Sequence, residues 1–479
     1  MCGFFGISKV DELVHTDFVD VKERGLIHFE KTHENFFSFQ SVLPCTGNFC
    51  GTEHYETEDY IINYTGEIYN YDRFYKNDSL HLFNLIQNSK DWTFFDELNG
   101  MFAISIYNKN TSAITLVRDP IGQIPLFYYN QDCLIYSNTL PSLVKNACVD
   151  INPMAITKWL STKHYIFNDT FWRNVYLFPK GNVTTFDQDG NVWNEYKIKK
   201  KLNTNSNLYQ LLDSKTVDYT PSVDFGTILS GGVDSSIVSK VYAKKSKYII
   251  GVNNEGKDYI SNDIESFQKY FDNKIDILNV SEESWIESAI DLIQKLYTVP
   301  YSWSWVGYYI MSRKLRYNND IHVCLTGEGA DEIFGGYSYE NLTNRSLTRD
   351  DRRSLKEYVT NYKSFNRLMD KEVFLPIGCI GSNLAMGINC VETRNPFLDH
   401  DIFYNSSFQN DNDKSACKKL FSSFFPKIEI KQKQGFAGFP NETYDYVNSY
   451  IQEIEDTTVY EDDENYKWKK ACYTILKNL

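Results

Sequence analysis

Ser230-Gly231-Gly232-Val233-Asp234-Ser235-Ser236 sits between the apolar run Phe225-Gly226-Thr227-Ile228-Leu229 and a segment, Ser235–Lys247, with helical spacing at Ile237, Val238, Val241 and Tyr242. A short apolar run, a Gly-Gly turn and a helix-period segment together read as a strand feeding a helix. The glycines let the backbone turn sharply and approach an anion, while the hydroxyls and the first helical amides donate to it. This is the chemistry of a pyrophosphate clamp. A carboxylate among such donors repels phosphate unless a divalent cation lies between them, so Asp234 reads as a Mg2+ ligand; the plainer reading is a helix cap. At average residue usage the pattern S-G-G-x-D-S arises by chance in about one chain in a thousand of this length.

Outward from this turn the same texture continues. Tyr248–Val252 reads as a second strand, Ile264–Tyr270 as a helix, Ile275–Val280 as a third strand, and Ile321–Leu325 as a further apolar strand. Strand–helix alternation predicts a parallel sheet covered by helices on both faces. The last strand runs into Thr326-Gly327-Glu328-Gly329-Ala330-Asp331-Glu332-Ile333-Phe334-Gly335-Gly336-Tyr337. Ligands in open α/β sheets bind beyond the carboxyl ends of the strands, so both turns are expected to face one crevice, with Asp234, Glu328 and Asp331 close together.

The first part of the chain has a different texture. Tyr60–Tyr64, Phe102–Tyr107 and Ser112–Val117 are short, rich in β-branched and aromatic residues, and bounded by Gly, Asn or Asp, as strands are. Asn108-Lys109-Asn110 reads as a hairpin turn. The Lys/Asn-rich stretch 196–207 reads as a linker, giving a β-rich domain over 1–195 and an α/β domain over 208–479.

Composition sets the outer limits. The 479 residues carry 49 Lys+Arg against 63 Asp+Glu, a net charge of −14, which disfavours a nucleic-acid-coating surface. The ten cysteines form no CxxC pair and the histidines no HxxxH cluster, so neither a disulfide scaffold nor a structural zinc site is supported. The N-terminus shows no secretory signal, and no apolar run approaches the ~18 residues of a membrane span. The reducing cytoplasm is the expected compartment.

The motifs jointly carry a resemblance. SGGVDSS (230–236) followed by TGEGADEIFGGY (326–337) resembles the ATP-pyrophosphatase domain of the asparagine synthetase family. Met1-Cys2-Gly3-Phe4-Phe5-Gly6 resembles the class II, N-terminal-nucleophile glutaminase domain that precedes it there. Thr65-Gly66-Glu67-Ile68-Tyr69-Asn70, Asn99-Gly100-Met101-Phe102-Ala103, Arg118-Asp119-Pro120-Ile121-Gly122 and Glu392-Thr393-Arg394-Asn395-Pro396-Phe397-Leu398-Asp399 follow in the family's order.

The resemblance implies an αββα glutaminase sandwich followed by an α/β parallel-sheet ATP-pyrophosphatase domain. It also implies ATP- and Mg2+-dependent amide formation through an acyl-adenylate. Leu229, Ser230, Gly231, Gly232, Val233, Asp234, Ser235, Ser236, Ile250, Thr326 and Gly327 would contact ATP. Asp234 and Asp331 would hold Mg2+. Glu328 would accept a proton as nitrogen attacks, and Lys433 would neutralise charge on the phosphates, its plainer reading being one exposed lysine among several. The implied partners are small molecules (ATP, glutamine or ammonia, aspartate or another carboxylate), with a homodimer as the allowed assembly and neither nucleic acid nor membrane.

Cys2 would be the glutaminase nucleophile once Met1 is removed, with its α-amine as base. Gln40, Thr65, Gly66, Glu67 and Asp78 fall at the glutamine-holding positions. The family's Asn is Thr65 here, and its Arg falls at Phe39 or Gln40. Asp78 reads either as the partner of glutamine's amine or as a helix cap. The stretch Tyr301–Tyr309 carries Trp303 and Trp305, which either reshape an aspartate pocket or pack behind it. Asparagine synthesis with glutamine-derived ammonia is therefore the leading expectation. Amide formation on a different carboxylate, fed by ammonia or another amine, is the alternative; a non-catalytic nucleotide-binding protein is a third.

Overall fold

The computed structural model describes residues 2–10, 18–45, 56–156, 169–204, 207–254, 266–300, 302–336, 370–408, 413–430, 472 and 475–479. Among these, three sheets form. The first holds β1 (Gly3–Ile7), β2 (Ile27–His33), β3 (Phe36–Val42), β7 (Phe127–Asn130), β8 (Leu134–Ser137) and β9 (Val175–Leu177) in the order β2-β3-β1-β8-β7-β9. The second holds β4 (Tyr60–Ile68), β5 (Gly100–Asn108), β6 (Ile114–Arg118), β10 (Asn182–Phe186) and β11 (Val192–Lys197) in the order β11-β10-β6-β5-β4. Every strand pair in these two sheets is antiparallel.

Alternation along the strands builds the layers, because successive side chains point to opposite faces. On β1, Phe4 joins one core with Tyr136, Met101 and Leu116, whereas Phe5 joins another with Phe18, Leu140 and Leu143. On β5, Ala103 and Tyr107 face the first of these cores, while Phe102, Ile104 and Ile106 face a third with Leu82 and Phe83. The two sheets thus enclose a shared core. Helices α1 (Val19–Lys22) and α3 (Leu140–Ala147) cover the outer face of the first sheet, and α2 (Asp78–Asn88) covers that of the second.

The third sheet is parallel throughout: β12 (Gly226–Ile228), β13 (Tyr248–Asn254), β14 (Ile275–Val280), β15 (Val323–Leu325) and β16 (Glu392–Arg394) run in the order β14-β13-β12-β15-β16. The order reverses between β12 and β15, the topological switch point at which such sheets bind ligands. The helix after β12, α4 (Val233–Tyr242), starts two residues before the sequence expectation, because extended Gly232 caps it directly, and it stops before the Lys-rich run. In the segment expected as a helix over 264–270, residues 266 and 267 are helical and run into a 3-10 turn at Gln268–Tyr270, with 264 and 265 outside the described residues.

The stretch expected as a linker is anchored. β11 extends through Lys197, and the Lys200 ammonium donates to the carbonyls of Phe95, Asp96 and Leu98 at 3.0, 2.7 and 2.6 Å. Three convergent acceptors make this polar segment a clamp.

Candidate functional site

The clamp at the switch point is built by backbone shape. Gly231 holds a φ of 79°, which costs glycine little and other residues much. The Ser230 hydroxyl lies 2.9 Å from that of Ser235, and the Ser236 hydroxyl donates to the Gly232 carbonyl at 2.7 Å. Among the described residues no side chain caps α4, and its N-terminus lies beside an exposed Ser230 and Gly232, which leaves its first amides available to an anion. Leu229 and Ile250 are fully buried and lie behind the turn, where the Leu229 amide donates to the Ile250 carbonyl at 2.8 Å.

The second turn rests against the first. A Cβ on Gly327 would fall 2.7 Å from the Asp234 carbonyl carbon and the Ser235 nitrogen, so only a residue without a side chain lets the two turns touch. Thr326 is buried; its hydroxyl donates to Asn395 Oδ1 at 2.6 Å and accepts the Glu328 amide at 3.1 Å. Asp331 opens α7 (Ala330–Phe334), named here after α5 (Glu282–Leu296) and α6 (Trp303–Asn319). The carboxylates of Asp234 and Asp331 converge on one point, the Lys414 ammonium, at 2.5 Å from Asp234 Oδ2 and in direct contact with Asp331 Oδ1.

These residues fit a divalent cation. The two carboxylates meet at one locus, and the buried Asp234 Oδ1 has no hydrogen-bond partner among the described residues. Among the described residues no group of three or more His, Cys, Asp or Glu is placed to hold a metal ion by itself; Mg2+ commonly takes one or two carboxylates, with phosphate and water completing its shell.

Glu328 is flanked by helices. The Tyr308 hydroxyl on α6 donates to Glu328 Oε2 at 2.9 Å. Burial and the Glu328 charge both raise the Tyr308 phenol, which keeps it a donor. On α8 (Leu375–Gly387), a Cβ at Gly378 would sit 2.5 Å from Glu328 Oε1. Of the two tryptophans, Trp305 is buried in the core against Gly381 of α8. Lys433 lies outside the described residues.

In the N-terminal half, Cys2 lies at the start of β1 and its carbonyl is held by three donors: Thr65 Oγ1 at 2.9 Å, Arg24 Nε at 3.2 Å and Asn138 Nδ2 at 3.2 Å. Its sulfur accepts the Leu43 amide at 3.4 Å. Burial pushes the Cys2 thiol up to about 12. Gly66, at φ 133°, lies so close to the Met101 carbonyl that a Cβ would meet the oxygen at 1.9 Å.

The polar groups at the remaining positions engage the protein itself. Gln40 is buried; its amide donates to the Tyr64 carbonyl at 2.7 Å and accepts the Tyr64 amide at 3.1 Å. Asp78 Oδ2 accepts from the Tyr64 hydroxyl at 2.5 Å and the Ile68 amide at 3.0 Å. Burial raises its carboxyl, opposed by those two donors. The cap of α2 is Asn77, whose side chain accepts the Leu80 amide.

Glu67 meets a residue from the other half: Arg394 Nη2 donates to Glu67 Oε1 at 2.6 Å while Arg394 Nε donates to Glu392 Oε1 at 2.8 Å. Burial opposes the charge on Arg394, but Glu67 and Glu392 outweigh it and hold the guanidinium above its ordinary range.

Arg24, Tyr308, Lys414 and the pairing of Arg394 with Glu67 were not anticipated from the sequence. A buried arginine, a tyrosine within a helix and a lysine far along the chain from the second turn carry no local pattern that separates them from ordinary residues. The Arg118-Asp119-Pro120-Ile121-Gly122 motif is architectural. Asp119 accepts the amides of Ile121, Gly122, Gln123 and Ile124, and Arg118 donates to the carbonyls of Gly122, Ile124 and Phe178.

Comparison with known proteins agrees with this layout. The glutamine amidotransferase domain model matches residues 53–197 and the asparagine synthase model residues 211–466. Asparagine synthetase B [glutamine-hydrolyzing] of Escherichia coli is 23% identical over 80% of this chain and 70% of its own length. Asparagine synthetase [glutamine-hydrolyzing] 1 of Bacillus subtilis is 24% identical over 71% of this chain and 59% of its own. A putative asparagine synthetase of Methanocaldococcus jannaschii is 25% identical over 83% and 73%. Among solved structures, the allosteric regulatory enzyme of purine biosynthesis aligns over 58% of this chain and 80% of its own at 12% identity and TM-score 0.31, too distant to bear on the fold. With an asparagine synthase match spanning more than half its length and a glutamine amidotransferase match before it, the chain belongs to the asparagine synthetase family.

Proposed function

We propose that the protein forms an amide by ATP-dependent activation of a carboxylate, with aspartate as the acceptor, asparagine as the product and glutamine as the nitrogen source. The observation that carries this reading is the contact of two turns at the switch point, Gly327 against Asp234 and Ser235, with the carboxylates of Asp234 and Asp331 converging on one ammonium beside the N-terminus of α4. In it, Ser230, Gly232, Ser235 and Ser236 hold the leaving pyrophosphate. Glu328, oriented by Tyr308, accepts the proton from the attacking nitrogen, a role worth ~10²–10⁴-fold. Asp234 and Asp331 hold Mg2+, which supplies charge neutralisation at the phosphates. Lys433 adds to that neutralisation. In the N-terminal half, an N-terminal-nucleophile sandwich, Cys2 attacks the glutamine amide and ammonia passes to the second half. The protein works in the cytoplasm.

The glutamine site favours a second reading. The Thr65 hydroxyl donates to Cys2, both faces of the Gln40 amide engage Tyr64, and Glu67 engages Arg394. An enzyme fed by free ammonia or another amine, on a different carboxylate, fits groups committed in this way.

Pyrophosphate release from ATP with Mg2+ and aspartate, compared with glutamine and with ammonium, separates the readings when the product is identified by mass. Asparagine formed with glutamine supports the first; amide formed with ammonium alone supports an amine-fed enzyme. Folded, ATP-binding protein that releases no aspartate-dependent pyrophosphate with either donor overturns asparagine synthesis.

A further inference from the structure

Lys414 is bound to the carboxylate pair by more than one side-chain contact. Its own backbone is left-handed, with φ 58°, a conformation that disfavours residues carrying a side chain. Its amide donates to the Phe334 carbonyl at 2.9 Å, which ties it to α7, the helix that carries Asp331. Its side chain is 8% exposed. Gly336 clears the way: a Cβ there would fall 1.7 Å from Asp331 Oδ1 and 2.4 Å from Lys414 Cε. The backbone tie and the missing side chain at 336 both serve to seat one ammonium between Asp234 and Asp331.

An ammonium on two carboxylates and a divalent cation on the same two carboxylates compete for the same charge. We infer that Lys414 is a resident counter-ion of the Asp234–Asp331 pair, a positioning residue that excludes the divalent cation from the nucleotide-free protein and gives way when metal and nucleotide arrive together. Without the ammonium, two carboxylates at close range, one buried and one partly so, repel and desolvation opposes both charges; with it, they stay gathered at one locus. The cation must then displace a satisfied ion pair, so it binds weakly until phosphates on the Ser230–Ser236 turn offer the ammonium a new anionic partner. This inference rests on Asp234 and Asp331 as the metal ligands of the proposed function.

The test is Mn2+ binding to the full-length, nucleotide-free chain, read from the electron paramagnetic resonance signal of free Mn2+. Lys414→Met is expected to bind Mn2+ at least tenfold more tightly than the native chain. Lys414→Arg, which keeps the charge, is expected to stay as weak as native. Adding Asp234→Asn to Lys414→Met is expected to abolish the gain, which locates the ion at this pair. Should Lys414→Met fail to fold by circular dichroism, Lys414→Gln replaces it as the neutral variant. Equal or weaker Mn2+ binding by the folded neutral variant overturns the inference, as does a gain that survives Asp234→Asn. No acceptor, glutamine or turnover enters this measurement. A chain that makes no asparagine can therefore pass it, and one that does can fail it.

Discussion

At Tyr308 a single hydroxyl holds the carboxylate proposed as the proton acceptor, donating to Glu328 Oε2 at 2.9 Å. Hydrogen bonds to charged groups contribute about 1.5–3 kcal/mol. Tyr308→Phe is therefore expected to lower the turnover rate of pyrophosphate release by about 10–100-fold while the KM for ATP stays unchanged, as steady-state kinetics will show. A fall in ATP affinity with turnover intact would place Tyr308 with the nucleotide instead. Cys2 has a pH signature of its own. With its thiol pushed up to about 12 by burial, the reactive thiolate is a small fraction at neutral pH and grows about tenfold for each unit of rising pH. Alkylation of Cys2 by iodoacetamide, followed by peptide mapping, should climb about a hundredfold between pH 7 and 9; a plateau near pH 8.5 would contradict it.

The element that joins the two halves is α8, Leu375–Gly387, apolar and buried along most of its length. Small residues let neighbours approach it closely. A Cβ at Gly378 would sit 2.5 Å from Glu328 Oε1, one at Gly381 would sit 1.8 Å from the Trp305 indole nitrogen, and one at Gly387 would sit 2.4 Å from Arg24 Nη1. Beside Gly387, Asn383 accepts from Arg24 Nη2 at 2.6 Å, and Arg24 also reaches the Cys2 carbonyl. One helix thus contacts Glu328 in one half and, through Arg24, the Cys2 segment in the other. Overpacking a core typically costs about 1–3 kcal/mol, and Gly381→Ala is expected to destabilise by that amount, read as a lowered urea midpoint with a change in tryptophan emission. An unchanged midpoint would mean that Trp305 is free to move.

At the scale of the molecule, the Glu392–Asp399 motif is the joint between domains. Arg394 reaches Glu67, Asn395 Nδ2 lies 3.4 Å from Gln123 Oε1, and Asp399 accepts from Asn99 at 2.8 Å. The same segment also touches the nucleotide side, since the Thr326 amide donates to the Arg394 carbonyl at 3.0 Å. Removing one partner of a buried ion pair costs about 3–5 kcal/mol, because the other charge stays desolvated. Arg394→Met is expected to lose that much stability in urea, since Glu67 and Glu392 are both buried. A loss below about 1 kcal/mol would class the triad with exposed pairs.

The parallel sheet with a turn at its switch point was legible in the sequence, because apolar runs, paired glycines and helical spacing are local signals that any tertiary context must respect. So were β4, β5 and β6 of the first half, read at 60–64, 102–107 and 112–117, with the hairpin turn that joins the last two. Strand β16 was not, since three residues, Glu392–Arg394, carry no period. Nor were the partners of the polar side chains. Sequence nominated Gln40, Glu67 and Asp78 for a ligand, and packing gave them Tyr64, Arg394 and Ile68. It nominated Asp234 and Asp331 for a cation, and the fold brought Lys414 between them. Local pattern determines where the chain turns and which face is buried. Which charge meets which across 180 or 327 residues was decided only by tertiary structure, because a buried charge must find its partner wherever the packed chain places it.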